Sequence, residues 1–274
     1  MTRTDNAKEF LDLLGSSDQY VRLDTMQLLQ RLLEGAPELV HKSLLANPEA
    51  FGQIMNTMQS SSQDFIRNEC LALILALTAS KHTELLTIIC FQGGCEQIIS
   101  ILLEETRHAS FGMIAKSCLT ALQNLSQHSA CLKYMREAGC IASMLDVLKI
   151  LSKPPEEGID ASETGVLVDL LLKCLSKFLA EDEEKERKMN ILRFVKSGAV
   201  ENMCRAITVA HLSIAAKISC VGLLARAARD PEVANRLCQY DAQSWISSWT
   251  QMHEKKLLHL SPCRNDDYEF DPQI

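Results

Sequence analysis

Phe65-Ile66-Arg67-Asn68-Glu69-Cys70-Leu71-Ala72-Leu73-Ile74-Leu75-Ala76-Leu77 is the stretch that decides the fold. It contains neither Gly nor Pro. It is built mainly from Leu, Ala and other good helix formers, and its apolar residues cover more than one face, as in a helix buried by neighbours. Its like recurs along the chain. Tyr20-Val21-Arg22-Leu23-Asp24-Thr25-Met26-Gln27-Leu28-Leu29 begins 45 residues earlier, and Met113-Ile114-Ala115-Lys116-Ser117-Cys118-Leu119-Thr120-Ala121-Leu122 begins 48 later. Two further copies lie around Leu170 to Leu179 and Ala216 to Ala225. In this register Cys70, Cys118, Cys174 and Cys220 share one position, which Thr25 fills in the first copy. A small residue held at one register marks close helix-to-helix packing.

A second landmark separates the copies. Gly94-Cys95, Gly139-Cys140 and Gly198-Ala199 each open a run with apolar residues at helical spacing. A helix that ends in a left-handed residue favours Gly there, so Gly94, Gly139 and Gly198 read as unit stops. Each unit is then a helix, a short polar linker, an apolar helix, a further helix and a stop. No such unit can cover its own apolar surface, so successive units must stack. The class is all-α, a right-handed α-solenoid of armadillo or HEAT type, with five units expected at about 5–47, 48–94, 95–139, 140–198 and 199–241. Capping helices are expected over 242–260, with Trp245 and Trp249 closing the last layer, so that 1–260 forms one domain. Ser152 to Thr164, with Pro154, Pro155 and Gly158, reads as a loop inserted in the fourth unit, and 261–274 as a disordered acidic tail.

Composition agrees with this class. Only 11 Gly and 7 Pro in 274 residues leave too little punctuation for the turns of an all-β protein. A net charge of −7 has the wrong sign for a chain that neutralises nucleic-acid phosphates, so no nucleic-acid partner is expected. The longest apolar run, Cys70 to Leu77, is far short of the about 20 residues a bilayer crossing needs. The polar start, Met1 to Glu9, lacks a secretory signal, which places the chain in the cytoplasm and its 11 cysteines among reduced thiols.

No catalytic constellation emerges, and no enzyme activity is expected. Gly112-Met113-Ile114-Ala115-Lys116-Ser117 echoes a phosphate loop but lacks the second Gly before Lys and the preceding strand. The cysteines invite a zinc reading, with His82, His108 and His128 near them, yet no C-x-x-C pair occurs. Core packing explains them better, since buried Cys behaves as a small hydrophobe. Neither a metal site nor a cofactor is expected. Glu181 to Lys188 runs from acidic to basic, which suits the start of a helix, with a basic partner as the alternative. In the tail, Asp266 to Asp271 offers a short acidic-aromatic segment that is either a frayed terminus or a docking motif.

Candidate protein-binding residues follow from the repeat. Arg22, Arg67 and Asn68 begin repeat helices, and Gln27, Arg31, Gln123 and Asn124 fall on the presumed concave face, where armadillo arrays bind extended peptides. The register of Asn124 carries Arg31, Ala76, Ala180 and Arg226 in the other units, so the asparagine ladder of nuclear-import receptors is missing. Local capping and inter-repeat hydrogen bonding are the competing roles for every one of these residues.

Tyr20 to Gly35, Phe65 to Leu71 with Leu77-Thr78, Ile88-Ile89-Cys90-Phe91, Glu96 to Glu105 and Ser117 to Ser126 resemble, in order, the globular head of the general vesicular transport factor family. These are Golgi vesicle-tethering proteins with an armadillo head and a coiled-coil tail. The resemblance runs from about Ala7 to Leu148, beyond which the general repeat pattern continues. It implies a non-catalytic module in ER-to-Golgi and intra-Golgi transport, peripheral at those membranes through partners such as Rab-type GTPases, Golgi tethers and SNARE machinery. A generic armadillo scaffold outside trafficking is the alternative. Family members carry further repeats upstream and a long coiled coil downstream. This chain shows no sustained heptads for dimerisation, which suits a short relative, an isolated head or part of a longer chain.

Overall fold

The computed structural model describes residues 3–60, 64–80, 82–107, 112–153, 161–180, 184–209 and 212–239. Among these residues there are fifteen α-helices, one short 3-10 turn and no strand. Helices α1 (Arg3–Asp12), α2 (Gln19–Gly35) and α3 (Pro37–Ala46) come first, with the 3-10 turn Leu13–Gly15 after α1. They are followed by α4 (Glu49–Ser60), α5 (Asp64–Thr78) and α6 (Thr83–Phe91), then α7 (Gly94–Arg107), α8 (Met113–Leu125) and α9 (Ser129–Glu137). The chain continues through α10 (Cys140–Leu151), α11 (Ala161–Leu179) and α12 (Glu184–Lys196), and then α13 (Ala199–Thr208), α14 (Ile214–Ala227) and α15 (Pro231–Gln239).

Several helix starts are written locally. The Asp18 carboxylate accepts the Tyr20 N–H at 2.8 Å and so caps α2. Pro37 stands in the first turn of α3, where its fixed φ is already helical and no N–H is missed. Ser213 Oγ accepts the Ala216 N–H at 3.0 Å and opens α14.

The helices stack in three rows. The central row is α2, α5, α8, α11 and α14, each packed on the next. On one side of it run α4, α7, α10 and α13, also packed in sequence; on the other, α3, α6 and α9 touch in turn. Central-row helices are held on both sides, which is why α5 carries seven buried residues within 15. The repeat-register residues lie between them. Cys70 of α5 packs its Sγ at 3.2 Å from the Met26 sulfur of α2, and Cys174 of α11 reaches the Leu119 carbonyl of α8 at 3.8 Å. Thr25, Cys118 and Cys220 are buried in the same way. Phe51, Phe178 and Phe194 are the largest fully buried side chains. The result is an all-α solenoid whose core runs continuously from Leu11 to Val233.

Two local readings change. The left-handed stop before α7 is Gly93, at φ +79°, not Gly94; Gly139 and Gly198 do hold that conformation, at +76° and +74°. Gly94 is required for a different reason, because a Cβ there would lie 2.7 Å from the Ile89 carbonyl oxygen. The insertion expected over 152–164 is also shorter. Helix α11 starts at Ala161, so Thr164 is a buried helical residue. Gly165 is the weakest helix former between Ala161 and Leu167, at a cost of about 1 kcal/mol relative to Ala that burial outweighs. Residues 154–160, the expected capping helices with Trp245 and Trp249, and the acidic tail lie outside the described residues.

Candidate protein-interaction face

The central row has two edges, one at the N-terminal and one at the C-terminal ends of its helices. Tyr20, Phe65 and Met113 line the first of these. Each stands five residues before the register position of Thr25, Cys70 and Cys118, in the first turn of α2, α5 and α8. They are 63%, 47% and 80% exposed, against a core in which nearly every large apolar residue is below 5%. Adjacent packed helices lie about 8–10 Å apart, so this is a ladder of apolar side chains with one rung in each of the first three units; the same register holds Asp169 in α11 and Ala215 in α14. Repeat-matched exposure of large apolar groups differs from the scattered singles of an ordinary surface. The signal was in the sequence, at the position that opens the first three aligned copies, but alignment alone does not distinguish a core position from an exposed one.

Arg67 is the most strongly engaged of the residues singled out from sequence. Its guanidinium donates to Glu104 at 2.9 Å and Glu105 at 3.0 Å on α7, and lies 3.5 Å from Asp64 on its own helix. The side chain is 12% exposed. It lines a cleft of about 500 Å³ between α4, α5 and α7, together with Gln59, Glu96 and Gln97. Three carboxylates already neutralise the cation, so an anionic ligand would have to displace them. Arg22, at the same register in α2, donates to the Ser16 carbonyl at 2.7 Å and ties down the loop before its helix. Asn68 is half-buried, with its Oδ1 shielded from solvent.

Asn124 donates to Thr78 Oγ1 at 3.3 Å, which links α8 to the end of α5 in the preceding unit. Gln123 is half-buried beside it. Gln27 and Arg31, one turn apart on α2, are exposed. The seven residues therefore do not converge on one pocket. Arg67 and Asn124 join neighbouring units, Arg22 fixes the loop before its own helix, and Gln27 and Arg31 face solvent.

Sequence reasoning did not assemble a basic cleft at the opposite edge. Arg187, Arg226 and Arg229 surround about 370 Å³ at the ends of α11 and α14, against α12. Arg226 and Arg229 lie three residues apart at the end of α14, and Arg187 joins them from α12, 39 residues earlier than Arg226. Among the described residues no helix is long and apolar enough to cross a membrane.

No protein-family model matches the sequence. "Golgin candidate 6" of Arabidopsis thaliana is 34% identical over 101 residues, which covers 37% of this chain and 11% of that protein. Two crystal structures of Uso1 superpose on the fold, one with a TM-score of 0.72 at 15% identity and the other with 0.68 at 16%. This chain has the fold of the Uso1 helical-repeat head. The two superpositions cover 82% and 80% of the chain and 33% of each Uso1 chain. The chain thus spans a third or less of the proteins it resembles. The likeness to a vesicle-tethering head read from Phe65 to Leu71 and from Ser117 to Ser126 is matched by the fold.

Proposed function

We propose that this chain is a non-catalytic protein-interaction module of the vesicle-tethering type, working on the cytoplasmic side of Golgi-associated membranes. The observation that carries this reading is the golgin likeness, 34% over 101 residues, on a chain whose fold is that of Uso1. Residues 1–260 act as one repeat domain in this proposal, and membrane association is peripheral, through protein partners. Transport from ER to Golgi and within the Golgi is the process, with Rab-type GTPases, Golgi tethers or SNARE machinery as the partner classes.

The surface we assign to partners is the N-terminal edge of the central row, where Tyr20, Phe65 and Met113 are exposed in register, with Gln27 and Arg31 exposed further along α2. Large rigid apolar groups ringed by polar side chains supply most binding energy at protein interfaces. Arg67 and Asn124 contribute by holding adjacent units at a fixed spacing, and Arg22, Asn68 and Gln123 stand on α2, α5 and α8 as supporting residues. The test is co-precipitation of the purified chain with GTP-loaded Rab proteins and Golgi tethers, together with the location of a fluorescently tagged chain in cells. Concentration at Golgi membranes with GTP-dependent capture is expected. Diffuse staining and no capture above a GDP-loaded control would sink the reading.

A further inference from the structure

At the C-terminal edge of the central row, three metal-ligating side chains from two units meet. Glu38 and His41 are three residues apart in α3, a spacing that puts both on one helix face. Pro37 fixes the start of that helix, so both stand in its first turn and a half. His82 comes from the linker between α5 and α6, 41 residues further along the chain. One ligand atom from each of the three lies within 4.8 Å of the other two. The His82 Nε2 and Glu38 Oε2 atoms are 3.3 Å apart, and the His41 and His82 rings meet edge-on with centroids at 4.5 Å. These groups border a cleft of about 600 Å³ with Leu33, Ala76 and Ser80.

The polar inventory points to an added ligand. His41 is only 5% exposed, yet its Nδ1 is shielded from solvent and has no hydrogen-bond partner. With metal-to-ligand bonds of about 2.0–2.1 Å, neighbouring donors in a tetrahedral site stand about 3.3–3.4 Å apart. The His82 to Glu38 edge is already at that separation, and the edges to His41 are no longer than 4.8 Å, at most about 1.5 Å beyond it.

We infer that Glu38, His41 and His82 form an inter-repeat binding site for a divalent transition-metal cation of the zinc class. Two imidazoles and one carboxylate suit zinc or cobalt and are a poor set for magnesium or calcium, which favour all-oxygen shells. Three protein ligands leave one position for water or for a donor from a partner. Bound metal would also join the first unit to the second, because α3 and the α5–α6 linker belong to different repeats. This departs from the sequence-based expectation of no metal site, which weighed zinc only at the cysteines and the histidines near them and preferred core packing. It does not depend on the trafficking role proposed above.

The experiment is titration of the purified, untagged chain with cobalt(II), followed by absorbance, and competition with zinc against a chromophoric chelator. One equivalent of cobalt is expected to give visible d–d bands with no thiolate charge-transfer band, and zinc is expected to displace it. H82Q and E38Q alter exposed or half-exposed side chains and should fold; each is expected to weaken zinc binding about tenfold or more. Melting of the unaltered chain, and not of either variant, should rise with saturating zinc. Absence of stoichiometric binding, a thiolate charge-transfer band, or equal affinity in all three proteins would overturn the assignment.

Discussion

Cys174 shows how one residue type can be read from sequence and another cannot. Its position recurs in every copy, so its burial between α8 and α11 follows from the repeat alone. Burial pushes its thiol from 9.0 up to about 12. The folded chain therefore holds this proton more tightly than the unfolded chain, so the stabilisation is complete below about pH 9 and is lost as pH rises toward 12. The stability advantage of the natural chain over C174A is expected to shrink between about pH 9 and about pH 12, as read from urea midpoints at each pH. Arg67 is the opposite case. Its importance was visible as a recurring basic residue, but its partners, Glu104 and Glu105, lie 37 and 38 residues away. R67A should cost about 1–3 kcal/mol in chemical denaturation, because it leaves two adjacent carboxylates without their cation. R67K should recover only part of that, since an ammonium cannot span both carboxylates as a guanidinium does.

Elements were legible where local signals and burial agreed. The apolar helix quoted from Phe65 to Leu77 appears as Asp64–Thr78, and the run ending at Phe91 as Thr83–Phe91. The acidic-to-basic run falls at the start of α12, which begins at Glu184 within the described residues. Boundaries moved where two adjacent residues share a cue, as at Gly93 and Gly94, or where a helix extends into an apparent loop, as at Ala161. The C-terminus of α11 illustrates a stop that no local rule could reveal. Arg136 of α9 donates through one guanidinium nitrogen to the carbonyls of Lys177, Phe178 and Ala180 at 3.2–3.4 Å. Lys177 and Phe178 supply two of the last carbonyls of the helix and Ala180 the first beyond it, where the negative end of the helix dipole stands. R136A is expected to cost about 1.5–3 kcal/mol, measured by urea unfolding, with faster amide exchange at the end of α11 than elsewhere in that helix.

At the scale of the molecule, stacking decides what is exposed. Each central-row helix contacts its predecessor and successor, so stability is shared between neighbouring units and the edges remain available. The Tyr20, Phe65 and Met113 ladder belongs to one such edge. Replacing all three with Ser is expected to abolish capture of the protein partner while leaving the urea midpoint within about 0.5 kcal/mol of the unaltered chain, since exposed positions carry little folding energy. Equal capture by the triple variant would place the interaction on another surface, for which the Arg187, Arg226 and Arg229 cleft is the next test.

By itself, the sequence determined that this chain is helical, repetitive and stacked, because those properties depend on residue spacing and on apolar surface that one unit cannot cover. It also placed the register cysteines, since one small side chain is needed wherever two central-row helices approach. Tertiary structure alone decided which recurring residues turn outward, which charges cancel one another, and that Glu38 and His41 meet His82. Those outcomes depend on distances between residues some 40 positions apart, set by how one unit seats on the next, and no local periodicity encodes that seating.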